Sequence, residues 1–231
     1  MTDVLAVIPA RWGAKRFPGK LLADLAGRTV LEHTWRAAAE AFPNVRIATD
    51  DLRIASVAEA FGARVVKTSD APTCGTERVW EAAQAHPASR VINIQGDEPH
   101  LRPADLRRVA DALDDPSVRV ATLCFPVGRD AAHDPDRVKV VRNQRGDALL
   151  FSRAPIPYPR DGEAGAWLQH VGVYAFHRPT LARYASLPQP VCEQLERLEQ
   201  LRLLHAGIPI RVLECAPLPP PIDRPTDLER G

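Results

Sequence analysis

Short apolar runs alternate along the first half of the chain with stretches in which apolar residues recur every three or four positions. Val4–Ile8 is apolar throughout, the pattern of a strand buried on both faces. Thr29–Ala41 predicts a helix, followed by a strand at Val45–Ala48. Asp51–Phe61 predicts a second helix, with Gly62 as its stop before a strand at Ala63–Lys67. A helix at Glu77–Ala85 and a strand at Arg90–Ile94 come next. Pro103–Leu113 then predicts a helix whose proline stands in the first turn, where its missing N–H costs nothing, followed by a strand at Val118–Cys124. This alternation predicts an α/β fold of Rossmann-like type, a mostly parallel sheet with helices on both faces. Ligands of such sheets lie beyond the carboxyl ends of the strands, so the residues that follow each strand are the informative ones.

The second half changes character. Val138–Val141 and Ala148–Ser152 predict a hairpin around Asn143–Gly146. Pro155, Pro157 and Pro159 mark an extended, stiff segment, and Val171–Phe176 predicts another strand. Val191–Leu204 reads as one amphipathic helix, with Val191, Leu195, Leu198 and Leu201 on its apolar face and Glu193, Glu196 and Gln200 on its polar one. Pro217 and Pro219–Pro221 form a rigid approach to Ile222-Asp223. There is no internal repeat.

Composition narrows the function classes. The 231 residues are 45% hydrophobic and 26% charged, enough for one domain with a substantial core, or one with a small sub-domain. Lys plus Arg number 30 against 29 Asp plus Glu, which argues against a general nucleic-acid binder. Cys74, Cys124, Cys192 and Cys215 have no metal-type spacing and read as reduced thiols. The apolar run Val4–Ala10 is too short for a signal peptide, and no stretch approaches the roughly 20 apolar residues of a membrane span. A soluble, cytoplasmic protein without a membrane partner is expected.

The candidate chemistry follows the strands. After the first comes Pro9-Ala10-Arg11-Trp12-Gly13-Ala14-Lys15-Arg16-Phe17-Pro18-Gly19-Lys20, four cations among glycines and prolines. Backbone N–H groups and cationic side chains of this kind suit a triphosphate; the same composition also serves as a solvated basic loop. It is neither a Walker loop nor a dinucleotide fingerprint, which disfavours an oxidoreductase. Gln95-Gly96-Asp97-Glu98-Pro99 places a carboxylate after the strand ending at Ile94, suited to Mg²⁺ or to an acidic turn. Asp223 is a possible second carboxylate for the same ion, or a helix cap. Thr76, in Cys74-Gly75-Thr76-Glu77-Arg78, can cap the helix that follows and aim its N-terminus at an anion or a base. Arg153, His170, Tyr174, Glu196 and Gln200 are the polar candidates of the second half.

Taken together and in order, these segments resemble the 3-deoxy-manno-octulosonate cytidylyltransferases, or CMP-Kdo synthetases. The matching pieces include Val7–Arg11, Arg16–Lys20, Gly75–Arg78, Asn93–Pro99, Val138–Val141, Phe151–Ala154, His170–Tyr174, Leu198–Arg202 and Ile222–Pro225, nearly end to end. The resemblance implies a nucleotidyltransferase fold, Mg²⁺ as cofactor, and CTP and a small acidic sugar as partners. It implies a homodimer formed through the second half. It divides the chain into a nucleotide-binding core to about residue 130, an acceptor-binding and dimerisation sub-domain over about 131–215, and a return segment carrying a metal ligand. Arg11, Arg16 and Lys20 would contact the triphosphate, with Ala10, Gly75, Thr76, Arg78 and Gln95 near the nucleotide. Asp97 and Asp223 would hold the metal. Gln95, Arg153, His170, Tyr174, Glu196, Glu199 and Gln200 would line the sugar-acid pocket. Arg11, Lys20, Asp97 and Asp223 are the expected catalytic set, joining CMP to the anomeric hydroxyl of the sugar for lipopolysaccharide synthesis.

Four departures from the family pattern stand out: Leu21 after Pro18-Gly19-Lys20, Cys74 where a serine is usual, the Pro219–Pro221 run, and an early end at Gly231. They leave room for a different acidic acceptor, such as an 8-amino analogue, another sugar acid or a phosphonate. A non-catalytic nucleotide-binding module is the reading from another class, and the presence of both Asp97 and Asp223 argues against it.

Overall fold

The apolar runs of the first half become the centre of a nine-stranded sheet in the computed structural model, which describes residues 3–13, 16–160 and 167–230. Strand β1 (Val4–Pro9) is buried at every position. Its alternate side chains enter two cores: Ala6 and Ile8 join one, Leu5 and Val7 the other. The strands β2 (Asp24–Leu25) and β3 (Arg28–Thr29) form a separate small ribbon. In the main sheet β1 lies between β4 (Val45–Thr49) and β6 (Arg90–Ile94), parallel to both, and β5 (Val65–Lys67) continues the parallel edge on β4.

The helices cover both faces as the pattern predicts. One core packs α1 (Val30–Ala41), α2 (Leu52–Ala60) and α4 (Pro103–Asp111) through Leu31, Ala38, Ile54, Ala58, Leu106 and Val109. The other packs α3 (Gly75–Gln84) and α6 (Arg178–Ser186) through Val79, Ala82, Ala83, Leu181 and Tyr184. Thr29 caps α1 by accepting from the Glu32 N–H, and Asp51 caps α2 by accepting from Arg53 and Ile54. Gly62, at φ 90, ends the turn after α2 in a conformation other residues adopt only at a cost.

One long strand departs from the parallel rule. Strand β10 (Trp167–His177) runs antiparallel to both β6 and β7 (Val120–Val127), while β11 (Arg211–Glu214) is parallel to β7. The hairpin of β8 (Lys139–Arg142) and β9 (Ala148–Ser152) forms as predicted and pairs with β10 through β8. The short helix α5 (Arg129–His133) precedes it. Because β10 runs against β6, its first half lies at the carboxyl end of the parallel strands. His170 and Tyr174 are thereby delivered to the ligand edge of the sheet.

The amphipathic helix predicted over Val191–Leu204 is two helices. The first, α7, spans Val191–Glu196; Arg197 turns left-handed at φ 55, ψ 44; and α8 spans Leu201–His205. The polar face is not solvated. Glu193 and Arg202 are buried, with Arg202 donating to both Glu193 oxygens at 2.8 and 2.6 Å and to Glu77 at 2.9 Å, beneath the Tyr184 ring. Closing this cluster turns the chain, so Val191 and Leu195 face outward while Leu198, Leu201 and Leu203 enter the core. Among the described residues the four cysteines are free thiols, with Cys124 and Cys215 buried, and no helix is long and apolar enough to cross a membrane.

Candidate active site

The loop after β1 and the loop after β6 meet at one edge of the sheet. A turn over Lys20–Leu22 sends the Lys20 side chain inward, where its Nζ lies 2.5 Å from Asp97 Oδ2 and 2.9 Å from Asp223 Oδ1. Asp223 comes from the far end of the chain and is anchored by the Ile222 N–H, which donates to the Asp97 carbonyl at 3.0 Å. Arg16 pairs with Asp136 and with Asp223 at 3.1 Å, and Arg224 donates to Asp136 at 2.6 Å. Arg11 is exposed on the same wall and makes no ion pair among the described residues. Lys15, the fourth cation of the loop, lies outside the described residues.

Burial works against the charge of Lys20, but Asp97 and Asp223 outweigh it and raise its pKa. Burial likewise works to raise Asp223, and Lys20 and Arg16 together hold it below the usual carboxylate value. The two carboxylates thus converge on one cation. That donor set fits Mg²⁺, which takes one or two protein carboxylates and completes its shell with substrate oxygens. Among the described residues no cluster of three or more His, Cys, Asp or Glu side chains could hold a metal such as zinc. Glu98, the next residue, is buried and accepts from the Gly172 N–H at 2.8 Å; burial first, and Asp97 second, push it up to about 8. A Cβ at Gly172 would come within 2.8 Å of that carboxylate, so the close approach needs glycine.

From this point a cleft of about 1230 Å³ opens between the first and second halves of the chain. Arg11, Arg16, Lys20, Gly75, Gln95, Asp97, Arg153, His170, Tyr174, Glu199, Gln200 and Asp223 all line it. Gln95 donates to Glu199 Oε1 at 3.1 Å, and Glu199 Oε2 accepts from the Thr76 N–H at 3.0 Å. A carboxylate remote in sequence therefore stabilises the start of α3 and orients Gln95. The N-cap of α3 is Cys74, without a side-chain bond, rather than Thr76. Thr76 is buried inside the first turn, its hydroxyl accepting from Asn93 Nδ2 at 2.9 Å.

Other sequence candidates stand behind the cleft wall. Ala10 is buried in the core and donates its N–H to Ala48 O at 2.8 Å. Arg78 is buried, bonds Thr68 and the Ser69 carbonyl, and pairs with Asp50 at 3.4 Å. Glu196 accepts from Ser152 Oγ at 2.6 Å and from the Arg153 N–H at 2.9 Å. Its carbonyl also accepts from Arg153 Nε at 2.7 Å, so Glu196 braces Arg153 from behind. The His170 ring packs against Tyr174 at 5.2 Å, tilted by 36°, and meets Phe151 edge-on, and burial holds its pKa down at about 3. Burial, with Glu199 and Glu98, raises Tyr174 well above the usual phenol value.

Several lining residues carry no motif that singles them out. Asp136, Arg137, Gln169 and Arg197 face the same cleft, and Arg137 donates to Gln169 at 3.4 Å. The one available signal was the density of polar residues just ahead of β8. The left-handed turn that puts Arg197 there is invisible to helical periodicity.

Known proteins are similar to this chain along nearly its whole length. The chain matches the cytidylyltransferase family over residues 5–210. It is 44% identical over 233 residues to the 3-deoxy-manno-octulosonate cytidylyltransferase of Escherichia coli, covering 100% of this chain and 95% of that protein. It is 46% identical over 232 residues to the protein of the same name from Nitratidesulfovibrio vulgaris (strain DP4), covering 96% and 92%. A solved structure of CMP:2-keto-3-deoxy-manno-octonic acid synthetase complexed with CTP matches with a TM-score of 0.92 at 44% identity, over 99% of this chain and 96% of that one. Identity at this level, sustained over the whole chain, places it in the 3-deoxy-manno-octulosonate cytidylyltransferase family of nucleotidyltransferases.

Proposed function

We propose that this protein transfers CMP from CTP to the anomeric hydroxyl of 3-deoxy-manno-octulosonate, releasing pyrophosphate and activating the sugar for lipopolysaccharide synthesis. The observation that carries this reading is the meeting of Asp97 and Asp223 at Lys20, between a cationic loop on one side and Arg153 with His170 on the other. The first side suits a polyphosphate and the second a hydroxylated acid. The names of the relatives supply the cytosine base and the sugar.

Asp97 and Asp223 would hold Mg²⁺, which lowers the pKa of a bound hydroxyl and offsets phosphate charge. Arg11, Arg16 and Lys20 neutralise the negative charge that grows on the departing pyrophosphate. To do so Arg16 and Lys20 exchange carboxylate partners for phosphate oxygens. Arg153 presents its guanidinium to the acceptor carboxylate chiefly through Nη2, with Nε held by the Glu196 carbonyl and Nη1 by the Pro135 carbonyl. Gln95, held by Glu199, faces both substrates, and Gly75 frames the nucleotide side, with Thr76 and Arg78 bracing it from behind; Ala10 supports the loop from the core. Tyr174 and Gln200 complete the acceptor end. The division of labour follows the chain: a nucleotide-binding core to about residue 130, an acceptor and dimerisation part over about 131–215, and a return segment that brings Asp223. Leu149 and Leu150 on β9 and Val191 and Leu195 on α7 are exposed apolar residues of the second half, which supports pairing of two copies there. A cytoplasmic location suits the proposed substrates.

The test is pyrophosphate release from CTP with Mg²⁺ and 3-deoxy-manno-octulosonate. Asp97→Asn and Asp223→Asn are expected to reduce turnover by about a hundredfold or more, with melting temperatures close to wild type. Near-normal turnover in both variants removes the metal assignment. A wild-type protein that turns over only another acidic sugar moves the acceptor assignment.

A further inference from the structure

The acceptor end of the cleft contains a hydrogen-bond arrangement that assigns a proton. Thr122, on β7, is fully buried. Its hydroxyl lies 2.7 Å from the Val173 carbonyl, 3.4 Å from the Val171 carbonyl and 3.0 Å from His170 Nε2. The two carbonyls turn toward Thr122 because the β10–β7 register shifts between Val171 and Tyr174. A carbonyl can only accept, and a hydroxyl has one proton. At 2.7 Å from Val173 O that proton must lie between the two oxygens, since two bare oxygens at this distance would repel. The hydroxyl therefore has only lone pairs left for His170, and the ring nitrogen facing it must carry the hydrogen.

We propose that Thr122 is a positioning residue that fixes His170 as the Nε2–H tautomer, leaving Nδ1 bare to accept a hydrogen bond from a hydroxyl of the sugar acid. Nδ1 has no partner among the described residues, and His170 lines the cleft. The tilted contact with Tyr174 and the edge contact with Phe151 hold the ring plane. Because burial keeps the imidazole so weakly basic, His170 orients the hydroxyl without retaining its proton. This role rests on the acceptor assignment above, whereas the tautomer does not.

The experiment reads both. Imidazole ¹⁵N shifts of the wild-type protein at neutral pH, assigned with a His170→Asn variant, should show a protonated Nε2 and a bare Nδ1. Thr122→Ser keeps the hydroxyl and should keep the tautomer. Thr122→Val and Thr122→Ala remove it at two different volumes, so one folded variant suffices, and the tautomer should become mixed or switch. In turnover assays, the KM for 3-deoxy-manno-octulosonate should rise about tenfold in the hydroxyl-free variant, the loss of one hydrogen bond, while the KM for CTP stays within about twofold. A wild-type Nδ1–H ring, or an unchanged tautomer and acceptor KM without the hydroxyl, overturns the proposal. Absence of turnover on this sugar with the expected tautomer intact overturns the acceptor reading instead.

Discussion

At the residue level, His170 shows how an environment decides what a side chain can do. An imidazole in water exchanges a proton near neutrality; this one stays neutral because burial holds its pKa at about 3. The unfolded chain protonates His170 below about 6.5, so the folded state binds fewer protons between that value and about 3. Its contribution to stability is full above pH 6.5 and is lost as pH falls through this window. Denaturant titrations at pH 7 and pH 4.5 should show a smaller loss of stability in His170→Asn than in wild type. The residues legible from sequence were those whose chemistry is local: the cations after β1, and Asp97 after Gly96. Glu199 was legible only as a resemblance, because its partners Gln95 and Thr76 lie more than a hundred positions away.

Among elements, the decisive event is the break between α7 and α8. Helical periodicity predicts one continuous helix because it treats charged residues as solvated, and Glu193 and Arg202 are the exception. Their buried pair ties α7 to α8, and through Glu77 to α3. Arg202→Met should destabilise the protein by about 3–5 kcal/mol, measured by denaturant unfolding, since it leaves a buried carboxylate unpaired. The double variant Arg202→Met with Glu193→Leu should recover most of that loss, because removing both charges also removes the desolvation cost. The strands of the parallel edge were legible since each is a short, mostly apolar run bounded by helical patterns. The direction of β10 was not, since an apolar strand has the same pattern in either direction.

For the whole molecule, the metal end of the site is assembled from three distant parts of the chain: the loop after β1, the loop after β6, and the return segment. Asp97 and Asp223 are brought to a common cation from segments far apart in the chain, and no local window contains that fact. Local segments mark each as a candidate, and the ligand needs of Mg²⁺ suggest the pair that the resemblance also implies; the fold explains the pairing, since the Ile222 N–H donates to the Asp97 carbonyl. The hundredfold loss expected for either Asn substitution belongs to this scale. Each variant leaves its own loop in place and breaks only the convergence.

The grip of Lys20 on both carboxylates bears on the order in which ligands arrive. An ammonium already satisfies the two anions, so a free divalent ion has to compete with a tethered one. The triphosphate changes the contest by drawing the lysine onto its own oxygens as it docks. Nucleotide and ion are therefore expected to enter together. Mg²⁺ alone should leave the melting temperature nearly unchanged. CTP with Mg²⁺ at about a hundred times its dissociation constant should add about 2.7 kcal/mol of stability. In Lys20→Met, with the tethered competitor gone, the ion alone should bind measurably in a calorimeter.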